Sequence, residues 1–212
     1  MASELSPRPL FGGAISLDLP RDYIDASDLR QIPDNQEVFL SSTSDTAVVL
    51  EVLGMVEDGL ASTDLWEAIK FHFNSIAHDN ASLESTILTS SPDQPINFDI
   101  IEFDNAETPK PIYLDGLQSI HKFSHNPTGA PRQGHENDLP DKVWIGLSLW
   151  RINLKNTKDG TKKKADLVLS VNVNLSASDE NHEKEKEKVE QWFKQSIKSL
   201  KINDFNLFGD TD

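Results

Sequence analysis

The spacing of apolar residues changes period several times along this chain of 212 residues, and each change marks an element. In residues 12–19, Ile15, Leu17 and Leu19 alternate with Ala14, Ser16 and Asp18, the period-two pattern of a strand, and Pro20 ends it. Residues 21–36 lose periodicity and are rich in Asp, Ser, Pro and Asn, which favour turns through side-chain-to-backbone bonds and a fixed proline φ. Residues 37–40 read as a short strand. Residues 47–56 are almost continuously apolar, as in a central strand buried on both faces, with a helix as the alternative. Residues 62–78 place Leu65, Ile69, His72, Phe73 and Ile76 on one helical face, with Asp64 and Glu67 as a capping box or Thr63 as the cap.

Strands are expected at 83–89, within 112–123, and at 98–103 inside the Pro- and Asp-rich stretch 90–111. Segment 124–141, rich in Pro, Gly, Asn and His, reads as a mobile loop. Residues 142–154 and 165–175 form the clearest hairpin. In its second strand Leu167, Leu169, Val171, Val173 and Leu175 alternate with Val168, Ser170, Asn172 and Asn174, and the connection contains Asp159-Gly160. Residues 179–200 form the strongest helix, capped by Ser178, with Val189, Trp192, Phe193, Ile197 and Leu200 on one stripe. The order strands, helix, strands, helix predicts a single α+β domain, a twisted, mostly antiparallel sheet flanked by helices. Residues 9–209 would form that domain and residues 1–8 a tail.

Composition narrows the function. There are no cysteines, which excludes disulfides, thiolate catalysis and cysteine-rich zinc sites. The start of the chain is neither basic nor apolar and does not read as a secretory or transit signal. The longest uncharged apolar-rich run, residues 143–150, is too short to span a bilayer, so a soluble chain from a reducing compartment is expected. A formal net charge of −15 disfavours nucleic acid and anionic membranes as partners. The charge is uneven: residues 1–69 hold 13 acidic residues against Arg8, Arg21 and Arg30. Such a skew serves solubility, or it makes a docking face for a basic partner.

Catalytic chemistry is hard to assemble from these residues. Gly160-Thr161-Lys162 lacks the upstream glycine of a phosphate-binding loop, and no Gly-x-Ser-x-Gly elbow exists. His121, His125 and His135 read as surface histidines, since on a strand a spacing of four separates side chains by about 13 Å. The carboxylates near Asp25 lack a nucleophile or a metal motif and read as a solvated loop. Trp144 and Trp150 read as core. No cofactor is implied.

Two segments are specific. The first runs Pro9-Leu10-Phe11-Gly12-Gly13-Ala14-Ile15 and continues at residues 24–39, Ile-Asp-Ala-Ser-Asp-Leu-Arg-Gln-Ile-Pro-Asp-Asn-Gln-Glu-Val-Phe. The second is the close, residues 199–209, Ser-Leu-Lys-Ile-Asn-Asp-Phe-Asn-Leu-Phe-Gly. Together they closely resemble the signatures of the Ran guanine-nucleotide release factor family. That resemblance implies a fold like the photosystem subunit PsbP, binding to the small GTPase Ran, release of its guanine nucleotide, and a role in nuclear import from nucleus and cytoplasm. It implies a monomer that acts by binding and is not an enzyme. The matching site positions are Asp25, Asp28, Asp34 and Glu37, with Arg30, Asn35 and Gln36 beside them. Asp25 and Glu37, which bracket the motif, are the expected key contacts, replaceable without loss of stability. Residues 90–140 match nothing in the family. The alternative is a small-molecule or lipid-binding domain, which would need a large apolar cavity. A chloroplast PsbP-type subunit would need a transit peptide.

Overall fold

The hairpin read from residues 142–175 is the centre of the molecule. A computed structural model describes residues 4–122, 124, 126–156, 158–176 and 180–211, so the expected Ser178 cap and His125 lie outside the described residues. Along the chain the strands and helices are β1 (Leu5–Leu10), β2 (Ile15–Pro20), β3 (Tyr23–Asp25), β4 (Gln36–Ser41), β5 (Ala47–Gly54), α1 (Leu65–Asp79), β6 (Glu84–Ile87), β7 (Ile101–Glu102) and β8 (Ile112–Ile120). There follow β9 (Asp141–Lys155), β10 (Lys162–Asn174), α2 (Glu180–Ser199), β11 (Lys201–Ile202) and β12 (Asp210–Thr211). The large sheet runs β3-β4-β5-β10-β9-β8-β6, with β7 beside β9 and β12 beside β10. Among the described residues only the β7–β9 pairing is parallel. This is the α+β architecture expected.

Register explains why two helices are needed. In β10, Leu167, Leu169, Val171 and Val173 share a face with Trp150 and Trp144 of β9. Val168 faces the other way, with Leu149 and Leu147. Both faces are apolar, so both must be covered. The first is covered by Val189, Trp192, Phe193 and Ile197 of α2 and by Ile15, Leu17 and Leu19 of a small sheet ordered β1-β2-β11. The second is covered by Leu65, Trp66, Ile69 and Phe73 of α1. Trp144, Trp150, Phe73 and Phe193 are fully buried, each worth roughly 1.5–3 kcal/mol relative to exposure.

Several expectations change. The tail is shorter than residues 1–8, because Leu5–Leu10 pairs with β2. Pro7 and Pro9 argue against a strand, yet β1 is an edge, and residues two apart direct their missing donors to the same outer side. β5 is a strand, but only Val48 and Leu50 are buried; Val49, Glu51 and Leu53 are half-covered. Asp64 caps α1 by accepting from Trp66 N at 2.9 Å, and it also accepts from Ile96 N at 3.0 Å. Glu67 pairs with Lys70 and does not close a capping box. The described residues of segment 124–141 form a run of short turns, and Gly129 is buried.

A charged pair, Asp166 and Arg151, sits inside. Asp166 accepts from Arg151 Nε and Nη2, both at 2.8 Å, from Val56 N at 3.0 Å, and meets His72 Nε2 at 2.9 Å. Arg151 also donates to Ala61 O at 2.6 Å, so the cluster ties β9 and β10 to the segment leading into α1. Burial pushes the Asp166 carboxyl up, but the bonds from Arg151 and His72 outweigh it and hold the group below the usual carboxylate range.

Candidate functional site

The residues of the sequence motif line the β3 edge of the large sheet, and local chemistry fixes their shape. Tyr23 is buried edge-on against Trp192 at 5.5 Å between ring centroids, which pins β3 to α2. Ala26 is fully buried and anchors the turn that follows. Asp25 caps this turn, its Oδ1 accepting from Ser27 N at 2.8 Å. Leu29 N and Arg30 N both donate to Ala26 O at 3.0 Å. At the far end Gln36 N donates to Pro33 O at 2.9 Å, and Asn35 exchanges bonds with Val52 through backbone and side chain. Gln36 Nε2 donates to Glu51 on the neighbouring strand. The loop is therefore tied down at both ends.

Between the ties, Asp28, Arg30 and Asp34 are exposed. Asp25 and Glu37 are half-buried. By register Asp25 pairs with Phe39, two residues from Glu37, so both lie on the α2 side of the sheet, whereas Gln36 lies on the α1 side. Leu29 stands 67% exposed between Asp28 and Arg30, an apolar group on an acidic surface that no periodicity in the sequence marks.

Glu37 is not the free carboxylate that its sequence position suggests. Its Oε1 accepts from Phe11 N. Phe11 has φ +49° and is followed by Gly12 at +63° and Gly13 at +94°, so the chain takes three left-handed residues in a row. Only glycine adopts this region without strain, and Phe11 is held there by its neighbours. Arg8 adds a second tie: its guanidinium donates to Arg21 O and Tyr23 O at 3.1 Å each. These bonds explain why residues 9–15 and 24–39 form one motif although they are apart in sequence.

The closing segment joins the same assembly. Asn203 N and Asp204 N donate to Ala14 O at 2.8 and 3.1 Å, and Asn203 Nδ2 donates to Gly13 O at 3.1 Å. Phe208 is fully buried. The two signature segments are thus in contact, although about 190 residues separate them.

Of the histidines singled out in the sequence, His121 and His135 line one shallow cleft, and His135 pairs with Asp138 at 2.7 Å. No group of three or more His, Asp or Glu side chains among the described residues could hold a metal ion. A cleft of about 300 Å³ opens beside Ile76 and Ile145, but Asp45, Lys122, Asp141 and Asn172 share its walls. That volume is at the lower limit of small-molecule pockets.

Comparison with known proteins places this architecture. The family model described as Ran-interacting Mog1 protein matches residues 8–174. Over 205 residues the chain is 41% identical to the Ran guanine nucleotide release factor of Homo sapiens, a match spanning 95% of each chain. It is 37% identical over 126 residues to the nuclear import protein mog1 of Schizosaccharomyces pombe, which spans 57% of this chain and 61% of that one. The crystal structure of the Saccharomyces cerevisiae Ran-binding protein Mog1p shares the fold, with a TM-score of 0.66 at 24% identity over 98% of this chain and 100% of that chain. With its core, its acidic edge and both signature segments accounted for, the chain belongs to the Ran-interacting Mog1 family.

Proposed function

We propose that this protein binds the small GTPase Ran and promotes release of its guanine nucleotide, acting as a monomer in nucleus and cytoplasm in support of nuclear import. The observation that carries this reading is the 41% identity to the human release factor across 95% of both chains. The geometry supports it. An acidic loop held at both ends presents Asp28 and Asp34 to solvent without a large ordering cost on binding, and Arg30 lies beside them. Asn35, Gln36, Asp25 and Glu37 shape that surface through their bonds to the fold.

Release follows from binding, without covalent chemistry. A GTPase holds its nucleotide through Mg²⁺, a lysine and backbone N–H groups around the phosphates. A partner that prefers the empty form must weaken nucleotide binding by the same factor. Each tenfold loss needs about 1.4 kcal/mol of that preference. Exposed carboxylates supply it by engaging basic groups that the phosphates otherwise hold or by disturbing the Mg²⁺ site. Stopped-flow release of a fluorescent nucleotide from Ran tests this directly. Release that the protein does not accelerate at any concentration refutes the reading.

A further inference from the structure

Against a net charge of −15, one cleft of about 530 Å³ is lined, among the described residues, by three lysines and by no carboxylate. Lys155, Lys162 and Lys164 line it together with Met55, Phe98 and Ile100. Ile100 is 67% exposed. Phe98 is half-buried, and the buried Arg151 guanidinium lies 4.9 Å from its ring centre. Lys164 meets Glu57, which lies outside the lining. Lys155 is exposed and makes no ion pair with the described residues.

The position matters as much as the composition. Asn35 of the acidic loop bonds to Val52 on β5. Three residues on, β5 leads to Met55 in the cleft. Gly54 pairs with Ala165, beside Lys164, and Lys162 pairs with Lys155. Across this end of the sheet the order is therefore acidic loop, β5, then the lysines of β10 and β9. Two strand spacings across the sheet and three residues along β10 put the end of the acidic loop about 14 Å from the first lysine. A partner docked on the loop with a basic surface reaches the cleft with whatever lies next to that surface.

We infer that the Lys155–Lys162–Lys164 cleft is a second docking surface, which takes an acidic peptide segment of the partner carrying one aliphatic or aromatic side chain. The lysines meet the carboxylates, and the apolar side chain sits on Phe98 and Ile100. The two surfaces together demand a partner with a basic and an acidic patch side by side, which a uniformly basic protein fails to match. The inference rests on Ran being that partner.

The test compares binding of purified Ran, nucleotide-free and loaded, to the full chain and four variants by stopped-flow. Lys155→Glu is expected to slow association about fivefold or more at low salt. Ile100→Ser is expected to weaken binding about tenfold through faster dissociation, since an apolar contact is lost. Both residues are exposed, so both variants should melt with the wild type. Lys201→Glu, on the small sheet, makes the same charge change elsewhere and should bind normally. If it slows binding as much as Lys155→Glu, net charge is the cause and the cleft proposal fails. If Asp34→Lys loses binding while Lys155→Glu and Ile100→Ser keep it, the cleft proposal fails and the Ran reading stands. If the wild type does not bind Ran, the Ran reading fails. The cleft is then judged by titrating isotope-labelled chain with a synthetic peptide of glutamate and leucine. Amide shifts at Lys155 and Ile100 sustain a docking surface for acidic peptides. No shift there, or the same shifts with inorganic phosphate alone, overturns it.

Discussion

Truncating Glu37 to alanine should destabilise the protein as well as impair its activity. In the fold Glu37 accepts the backbone N–H of Phe11, which sits at φ +49° ahead of two more left-handed residues. A hydrogen bond from an amide to an ionised carboxylate contributes about 1.5–3 kcal/mol. Glu37 is half-buried, so water replaces part of that bond, and the lower end, about 1.5–2 kcal/mol, is the better figure. The left-handed conformation of Phe11, costing roughly 1–2 kcal/mol, then loses its restraint. For a chain of this size each kcal/mol lowers Tm by about 2–4 °C, so Glu37→Ala should melt about 3–8 °C below the wild type. Glu37→Gln retains an acceptor without the charge and should lose about half as much. Glu37→Lys, with no acceptor, should resemble alanine or fall lower. Thermal melting by circular dichroism, with hydrogen exchange at the Phe11 amide, reads the effect. If Glu37→Ala melts within about 1 °C of the wild type and the Phe11 amide exchanges unchanged, the latch contributes nothing. Glu37 would then act on the partner alone, as its sequence position suggests.

Asp28→Lys and Asp34→Lys, at exposed positions, should lose Ran binding with stability within about 0.5 kcal/mol of wild type, whereas Glu187→Lys on the exposed face of α2 should keep both. Glu187 is a cleaner control than Glu185, which accepts from Thr46 Oγ1 at 3.1 Å. The association rate with Ran should fall as salt rises through the physiological range, where the Debye length is about 8 Å, and a rate independent of salt would assign the acidic skew to solubility. Asp166→Ala leaves Arg151 buried without its partner and should cost about 3–5 kcal/mol, measured by urea unfolding. Because the Asp166 carboxyl is held below its ordinary value, its contribution is fully present above the unfolded-state value near 3.9 and is lost as pH falls through the lower folded value. A urea midpoint for Asp166→Asn that stays parallel to wild type through that acid range would contradict the assignment. Gly116→Ala places a Cβ against Thr86 O and the Phe73 ring, and should cost about 1–3 kcal/mol by the same measurement.

Local periodicity alone determined β10, α2 and the α1 stripe, because alternation and helical spacing are properties of neighbouring residues. The acidic skew, the turn chemistry of residues 21–36 and the two signature segments were also legible, and they pointed to the edge that the fold exposes. Four things were decided only in three dimensions. The N-terminal strand forms despite Pro7 and Pro9 because an edge position tolerates their missing donors. Glu37 is turned from a free carboxylate into a latch by Phe11, 26 residues away. The Asp166 cluster draws on His72, Val56 and Arg151, and the lysine cleft draws on Met55, Phe98, Ile100, Lys155, Lys162 and Lys164. The physical reason is common to all four. A side chain's partner across a sheet is set by register and by which face is buried, and both are settled only when the two apolar faces of the β9–β10 hairpin are covered by distant parts of the chain.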